Sequence, residues 1–597
     1  MVKKSKTTVK SITAVAKLTA RPYKAYAQKA AQAFAWSPLP EVLLMITLVL
    51  GRWWKNSDFS YPSEIFVPAI ALAVMAIIIW AVYRFIFNSQ LSVHLSALLL
   101  SYSLYNYQWL SNLGVTKKII DLLPESWATE LTASLLISFT MGLTAGGLGW
   151  LVAKMDKKFK SVKLLQLQKV LLFAVVFIFV VQAGKAALRL NDIRPQLAYQ
   201  YSATLPTRQT AGTAAFKPDI YYLVFDRYGN QDTLKTIYGY DNSDLLDFLS
   251  RQGFLNRPLA YANYPFTMSS VSSTMAMNYF PEFGKMFNGD PSGDWQTAFP
   301  YRSILNNPPI AQILKANGYQ YNQISSWSDF TRFGIKADSH PTNSFRLNTL
   351  VGRWYLSDLQ RDIFNRSLLS PWLKRGLSIN NTSIVKYDLA RNPRQNFEAQ
   401  MEAIKKTAAR TTKTTPQFSF AHVLVPHDPY IFKADGSTPE YDQNRTDNGI
   451  DERSKYVNQV TYLNLRLKDL IKYIREKSPE AAVVIQADEG PYPKEFRFEL
   501  KPGQYYNPIN LARPQMKQKF GILASYYLPG YSVSAAEQIN SSVNLFRSML
   551  NNYMGYDLPL LPDCRFAAGD KFTVYEYQLV NEKLTGGPAP PGCRQYQ

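Results

Sequence analysis

Three short apolar runs in this 597-residue chain end in side chains that can hold a cation or move a proton. Asp219-Ile-Tyr-Tyr-Leu-Val-Phe-Asp226 closes on a carboxylate. Phe418-Ser-Phe-Ala-His-Val-Leu-Val425 leads into Pro426-His427-Asp428. Ala482-Val-Val-Ile-Gln-Ala-Asp488 leads into Glu489-Gly490. Any one of these carboxylates alone reads as a turn or cap residue. Together they suggest a site, because in open α/β sheets sites form beyond the carboxyl ends of strands, where sequence-distant residues converge. The stretch Asn263-Tyr-Pro-Phe-Thr267-Met-Ser-Ser-Val-Ser-Ser fits a loop entering a helix. There Thr267 would meet unpaired backbone N–H groups that favour an anion. Alone it is a capping residue; activated by a metal, it can attack phosphorus.

The elements that must position these residues follow from hydrophobic pattern. Continuous apolar runs of this length read as strands buried on both faces. Helical periodicity appears at Ser243 to Gln252, Ile310 to Asn317 and Glu452 to Lys477. Strands alternating with helices predict an α/β domain with a mainly parallel central sheet.

The first third of the chain is different. Apolar segments run from Ile65 to Phe87, Leu131 to Val152 and Leu165 to Ala187, each long enough to cross about 30 Å of hydrocarbon. Two weaker ones run from Leu39 to Trp54, with Glu41 and Arg52 near its ends, and from Leu91 to Leu110, with His94. For Leu39 to Trp54 a re-entrant or surface helix is the alternative. The net charge of +22 is concentrated here: residues 1–190 hold 21 Lys/Arg against 7 Asp/Glu. Residues 1–38 carry eight basic and no acidic side chains, and Lys154, Lys157, Lys158, Lys160 and Lys163 follow the fourth segment. Positive segments stay cytoplasmic, so both are inside only if four spans separate them. A fifth span then delivers the remainder outside. The expected layout is a basic cytoplasmic N-terminus (1–38), a transmembrane domain of about five helices (39–187), a linker (188–217) and an extracytoplasmic domain (218–597). The mild charge excess beyond residue 190 favours anionic substrates or lipid headgroups and is no nucleic-acid footprint. Cys564 and Cys593 both lie in the outer part, where a disulfide forms readily; two free thiols are the alternative.

Several of these stretches carry a resemblance. Pro218-Asp-Ile-Tyr-Tyr-Leu-Val-Phe-Asp226, Asn263-Tyr-Pro-Phe-Thr267, Gly318-Tyr319, His422-Val-Leu-Val-Pro-His427-Asp-Pro-Tyr430 and Gln486-Ala-Asp488-Glu489-Gly-Pro491 resemble, in order, the motifs of membrane-anchored members of the alkaline phosphatase superfamily. That group includes sulfatase-like proteins, lipoteichoic acid synthases and phosphoethanolamine transferases. The resemblance implies an alkaline-phosphatase-like fold in which Thr267 is the nucleophile, Asp226, Thr267 and Asp488 hold one divalent cation, and His427 contacts the phosphate. It implies a lipid or lipid-linked donor and an envelope glycopolymer or lipid acceptor. Two positions depart from the pattern. Glu489 stands where a His ligand is usual, and Arg227 where a small Gly is common. Glu489 as a ligand would make an all-oxygen site that favours Mn²⁺ or Mg²⁺ over Zn²⁺. No Cys-x-Pro-x-Arg or Ser-x-Pro-x-Arg run lies near Thr267, which disfavours sulfate ester hydrolysis. The expected function is metal-dependent phosphoryl transfer through a Thr nucleophile; phosphodiester hydrolysis and a non-catalytic protein with a degenerate site are the alternatives.

Overall fold

The structure is a computed structural model. It describes residues 36–122, 130–159, 162–202, 216–287, 297–326, 328–332, 334, 336–342, 346–349, 352–371, 377–379, 382–387, 393–410, 414–440, 451–493, 508–569 and 574–597. Residues 1–35, most of the basic N-terminal stretch, lie outside the described residues. The chain divides into two compact units, Met1–Asp192 with Leu347–Tyr387, and Ile193–Arg346 with Asp388–Gln597.

The first unit contains helices at all five apolar segments: α1 (Leu39–Lys55), α2 (Phe66–Ile86), α3 (Gln90–Tyr105), α4 (Glu130–Phe159) and α5 (Val162–Ala198). Among the described residues, three helical stretches are long and apolar enough to cross a membrane: Pro62–Ile86, Thr132–Lys158 and Gln166–Ala198. They place the chain in a membrane. α1 and α3 have 17 and 16 residues, about 25 Å at 1.5 Å per residue. The polar residues that weakened these two segments in sequence are paired inside the unit. Glu41 of α1 and His94 of α3 are buried and lie 2.8 Å apart, Oε1 to Nδ1.

One segment departs from the linear layout. Residues Leu347–Tyr387, expected within the outer domain, belong to the helical unit. The helix Asp358–Arg366 buries Leu359, Ile363 and Phe364. Arg52 Nε donates to Asp362 Oδ2 at 2.8 Å, Gln360 Nε2 to the Glu64 carbonyl at 3.0 Å, and Leu368 N to the Leu104 carbonyl at 2.7 Å. An amphipathic helix must cover its apolar stripe, and here it does so against α1 and α2. The expected linker is also shorter than its sequence suggests, because α5 continues to Ala198 with Pro195 inside it. Residues 203–215 of that stretch lie outside the described residues.

The second unit is built on a six-stranded sheet. Its strands are β1 (Ile220–Phe225), β2 (Leu255–Asn256), β3 (Gln320–Ile324), β4 (Gln417–Val423), β5 (Ala482–Gln486) and β6 (Ala524–Tyr527), in the order β2-β6-β5-β1-β4-β3. β5, β1, β4 and β3 run parallel, while β6 is antiparallel to β5 and to β2. The sheet is therefore mixed and mainly parallel. Every residue of β1 is buried. Its alternation splits the core: Tyr221, Leu223 and Phe225 pack on one face, Ile220, Tyr222 and Val224 on the other. That is the period of two expected of a strand covered on both sides. Three helices matter for the site: α6 (Thr267–Ala276), α7 (Glu452–Lys477) and α8 (Arg513–Phe520). Cys564 and Cys593 are joined by a disulfide.

Candidate metal centre

The neighbouring strands β5, β1 and β4 end at the same edge of the sheet. Asp226 follows β1, and its backbone N donates to the Val423 carbonyl at 2.9 Å, tying the turn to the end of β4. His422 is the penultimate residue of β4, in register with Val224. Asp488 lies two residues beyond β5. The three side chains offer ligand atoms all within 4.8 Å of one another. His422 Nε2 is 3.6 Å from Asp226 Oδ2 and 3.7 Å from Asp488 Oδ2. The other ring nitrogen, Nδ1, is 2.7 Å from the Thr331 hydroxyl. With Nδ1–H donating to that hydroxyl, Nε2 presents a lone pair to the two carboxylates.

Asp226 Oδ1, His422 Nε2 and Asp488 Oδ2 are buried with no hydrogen-bond partner among the described residues. Each such orphan costs about 1–3 kcal/mol. Two carboxylates and one imidazole lone pair converging in a buried space fit one divalent cation. The pKa directions agree with crowding. Burial pushes the Asp226 carboxyl well above the usual range, and Asp488 adds to the shift against the opposing Arg227. Burial also raises Asp488, but His422 and the Thr267 hydroxyl outweigh it and hold that carboxyl below its ordinary value. Two buried carboxylates crowded together are driven apart in this way.

Thr267 is the first residue of α6, after Phe266 in an extended conformation. Its hydroxyl lies near enough to the Asp488 carboxyl to help hold that group below its ordinary value. The helix start is tied to the same loop by Ser270 Oγ, which donates to the Asp488 carbonyl at 2.6 Å. The preceding loop is anchored by buried Asn263, whose Nδ2 donates to the Cys564 carbonyl at 2.7 Å and to Ser541 Oγ at 2.8 Å. Asp226 and Asp488 thus lie in one buried group with His422, and Thr267 lies beside Asp488 at the start of α6.

Glu489 is placed differently. Its carboxylate receives Arg227 Nε at 2.9 Å and lies 2.6 Å from Lys519 Nζ of α8. The two departures noted in sequence, Arg227 and Glu489, are thus partners of each other. Arg227 sits at φ 60°, where a non-glycine residue bears roughly 1–2 kcal/mol of strain. Its backbone N donates to Asp488 Oδ1 at 3.2 Å. His427 lies outside the group of three, in a turn between the cis Val425–Pro426 and Asp428–Pro429 peptides. Its Nδ1 is 3.2 Å from Asp428 Oδ1, and it lines an open cleft with Arg227, Tyr238, Glu452, Arg453 and Tyr492. His422 carried no assignment from sequence. The available signal was an imidazole inside an otherwise apolar strand, where a polar side chain must find a partner.

Residues 218–555, more than half of the chain, match the family model described as Sulfatase. The chain belongs to the sulfatase family. The matched span of this sulfatase-family chain begins just before β1 and contains all six strands and the centre. A comparison with curated proteins gives no match. Among solved structures, the C-terminal periplasmic domain of EptC from Escherichia coli is 14% identical with a TM-score of 0.36, covering 62% of this chain and 93% of that one. The lipoteichoic acid synthase LtaP from Listeria monocytogenes is 11% identical, TM-score 0.35, covering 66% and 92%. The integral membrane lipooligosaccharide phosphoethanolamine transferase EptA from Neisseria meningitidis is 10% identical, TM-score 0.36, covering 87% and 96%.

Proposed function

We propose that this sulfatase-family chain is a metal-dependent phosphotransferase that acts through Thr267 on a lipid-linked or envelope phosphodiester. The observation that carries the reading is the set of three orphaned ligand atoms on Asp226, His422 and Asp488 beside the Thr267 hydroxyl. A divalent cation held there supplies a lowered hydroxyl pKa and neutralises charge on phosphoryl oxygens. Thr267 gives up its hydroxyl proton to solvent, Oγ1 bonds to phosphorus, and the bond from phosphorus to the leaving oxygen breaks. His427, at the rim of the adjoining cleft, protonates that oxygen or holds the phosphate. An acceptor hydroxyl then attacks the phosphothreonine and frees Thr267. Glu489 leaves the proposed ligand set because its carboxylate is engaged by Arg227 and Lys519. His422 takes that role. With an imidazole present, the ground for an all-oxygen site lapses, and a mixed nitrogen and oxygen set accommodates Mn²⁺ or Zn²⁺.

Membrane anchoring suits a lipid donor, because tethering the domain near its substrate raises the effective concentration. The proposed topology has the N-terminus inside and the second unit outside, since the two basic stretches must share one face. The absence of a Cys-x-Pro-x-Arg or Ser-x-Pro-x-Arg run near Thr267 weighs against sulfate esters. The test is mass spectrometry of the purified protein after incubation with membrane lipid extract and Mn²⁺ or Zn²⁺. A phosphorylated adduct on the Thr267 peptide, absent from Thr267→Ala, is expected. Turnover by a folded Thr267→Ala variant at the wild-type rate overturns the reading.

A further inference from the structure

Arg227 is more than the residue after a metal ligand. Its side chain is 11% exposed, and the guanidinium is fixed on three sides. Nε donates to Glu489 Oε1 at 2.9 Å, Nη1 donates to Asp428 Oδ1 at 3.2 Å, and the central carbon stands 4.2 Å over the Tyr492 ring. Nη2 makes no hydrogen bond among the described residues. Lys519, fully buried, sits 2.6 Å from the second oxygen of Glu489 and 4.2 Å from the Tyr492 ring. Glu489 is thus shared between two cations, and its charge is not spent on Arg227 alone. The backbone accepts a left-handed conformation to carry this side chain, and residues so held cluster at sites that bind ligands.

We propose that Arg227 is an anion-binding residue of the substrate cleft, which holds a phosphate-class oxyanion in the space beside the metal centre. This rests on the phosphotransferase reading and adds to it a residue that holds the substrate. The substrate would present an anionic phosphate group in the open cleft lined by Arg227, His427, Asp428, Glu452, Arg453 and Tyr492. The chemistry is that of a planar fork. A guanidinium locked by two carboxylates and a ring keeps an N–H edge aimed in one direction, and phosphate oxygens match its spacing. Fixing the plane beforehand removes the ordering cost that a mobile arginine meets on binding.

The experiment uses the full-length protein in detergent, stripped of metal with chelator, so that binding at the cation group does not contribute. Inorganic phosphate is titrated by calorimetry at constant ionic strength, with acetate as the carboxylate arm. Metal-free wild type should bind phosphate. Arg227→Gln should lose about tenfold in affinity, and Arg227→Lys should lose nearly as much because an ammonium has no fork. Because Arg227→Gln leaves Glu489 less well paired, the Arg227→Gln/Glu489→Gln double variant is measured beside it, with thermal melting as the folding control, and should show the same loss. Unchanged phosphate affinity in folded Arg227→Gln or in the double variant overturns the proposal. So does the absence of phosphate binding to the metal-free wild type, and acetate binding as tightly as phosphate overturns the phosphate assignment. Failure of the phosphotransferase reading is scored separately, by the Thr267 adduct.

Discussion

Thr331→Val removes one hydroxyl from the centre without changing side-chain shape. The Thr331 hydroxyl is 2.7 Å from His422 Nδ1, and both side chains are fully buried. In the proposed centre this bond fixes the imidazole with its proton on Nδ1 and its lone pair on Nε2, toward Asp226 and Asp488. Valine leaves the Nδ1–H without its acceptor in a buried site. Either the orphan persists, at about 1–3 kcal/mol, or the proton moves to Nε2 and blocks the ligand atom. Loss of a partner that orients a ligand typically lowers metal affinity about 10- to 100-fold, or roughly 1.4–2.7 kcal/mol. The assay is titration of Mn²⁺ and of Zn²⁺ into chelator-stripped full-length protein, with melting in parallel. Thr331→Ser keeps an acceptor and should stay close to wild type. His422→Ala should lose at least as much affinity as Thr331→Val. If Thr331→Val folds and binds both ions as wild type does, the orientation argument is wrong. If His422→Ala also binds normally, His422 is no ligand.

Three further outcomes are expected. Glu489→Gln should leave the bound-metal content unchanged but destabilise the fold by about 3 kcal/mol, since it leaves Arg227 and Lys519 without their shared charge; loss of metal with an unchanged melting temperature would restore Glu489 to the ligand set. Replacing both Cys564 and Cys593 by Ala should lower stability by about 3–4 kcal/mol, the chain-entropy value for a closed loop of that size; it should also loosen the Asn263 anchor before Thr267, and unchanged melting of the double variant in oxidising buffer counts against it. With Cys564 and Cys593 disulfide-bonded, a cysteine at exposed Val533 gives a unique label; it should react with an impermeant maleimide in cells whose outer barrier alone is opened, and reaction only after inner-membrane lysis refutes the topology.

Local pattern carried much of this protein. Uninterrupted apolar runs can be satisfied only in hydrocarbon or between two packed layers, so the membrane helices and the buried strands β1, β4 and β5 were legible from period and length. The carboxylates at the ends of β1 and β5, and Thr267 at the start of α6, were legible because strand ends and helix starts are marked by residue type. Three things were decided only by the tertiary fold. Glu489 had the composition of a ligand, yet a carboxylate goes to the nearest uncompensated charge, and Arg227 and Lys519, distant in sequence, reach it first. Residues 347–387 lie inside the outer domain in sequence order but pack with the helical unit, because the apolar stripe of Asp358–Arg366 and the carboxylate of Asp362 find their partners there. His422 lies inside a strand that reads as core. The parallel order β5-β1-β4 sets it level with Asp226 and Asp488, and strand order is a property of long-range pairing that no local run of residues contains.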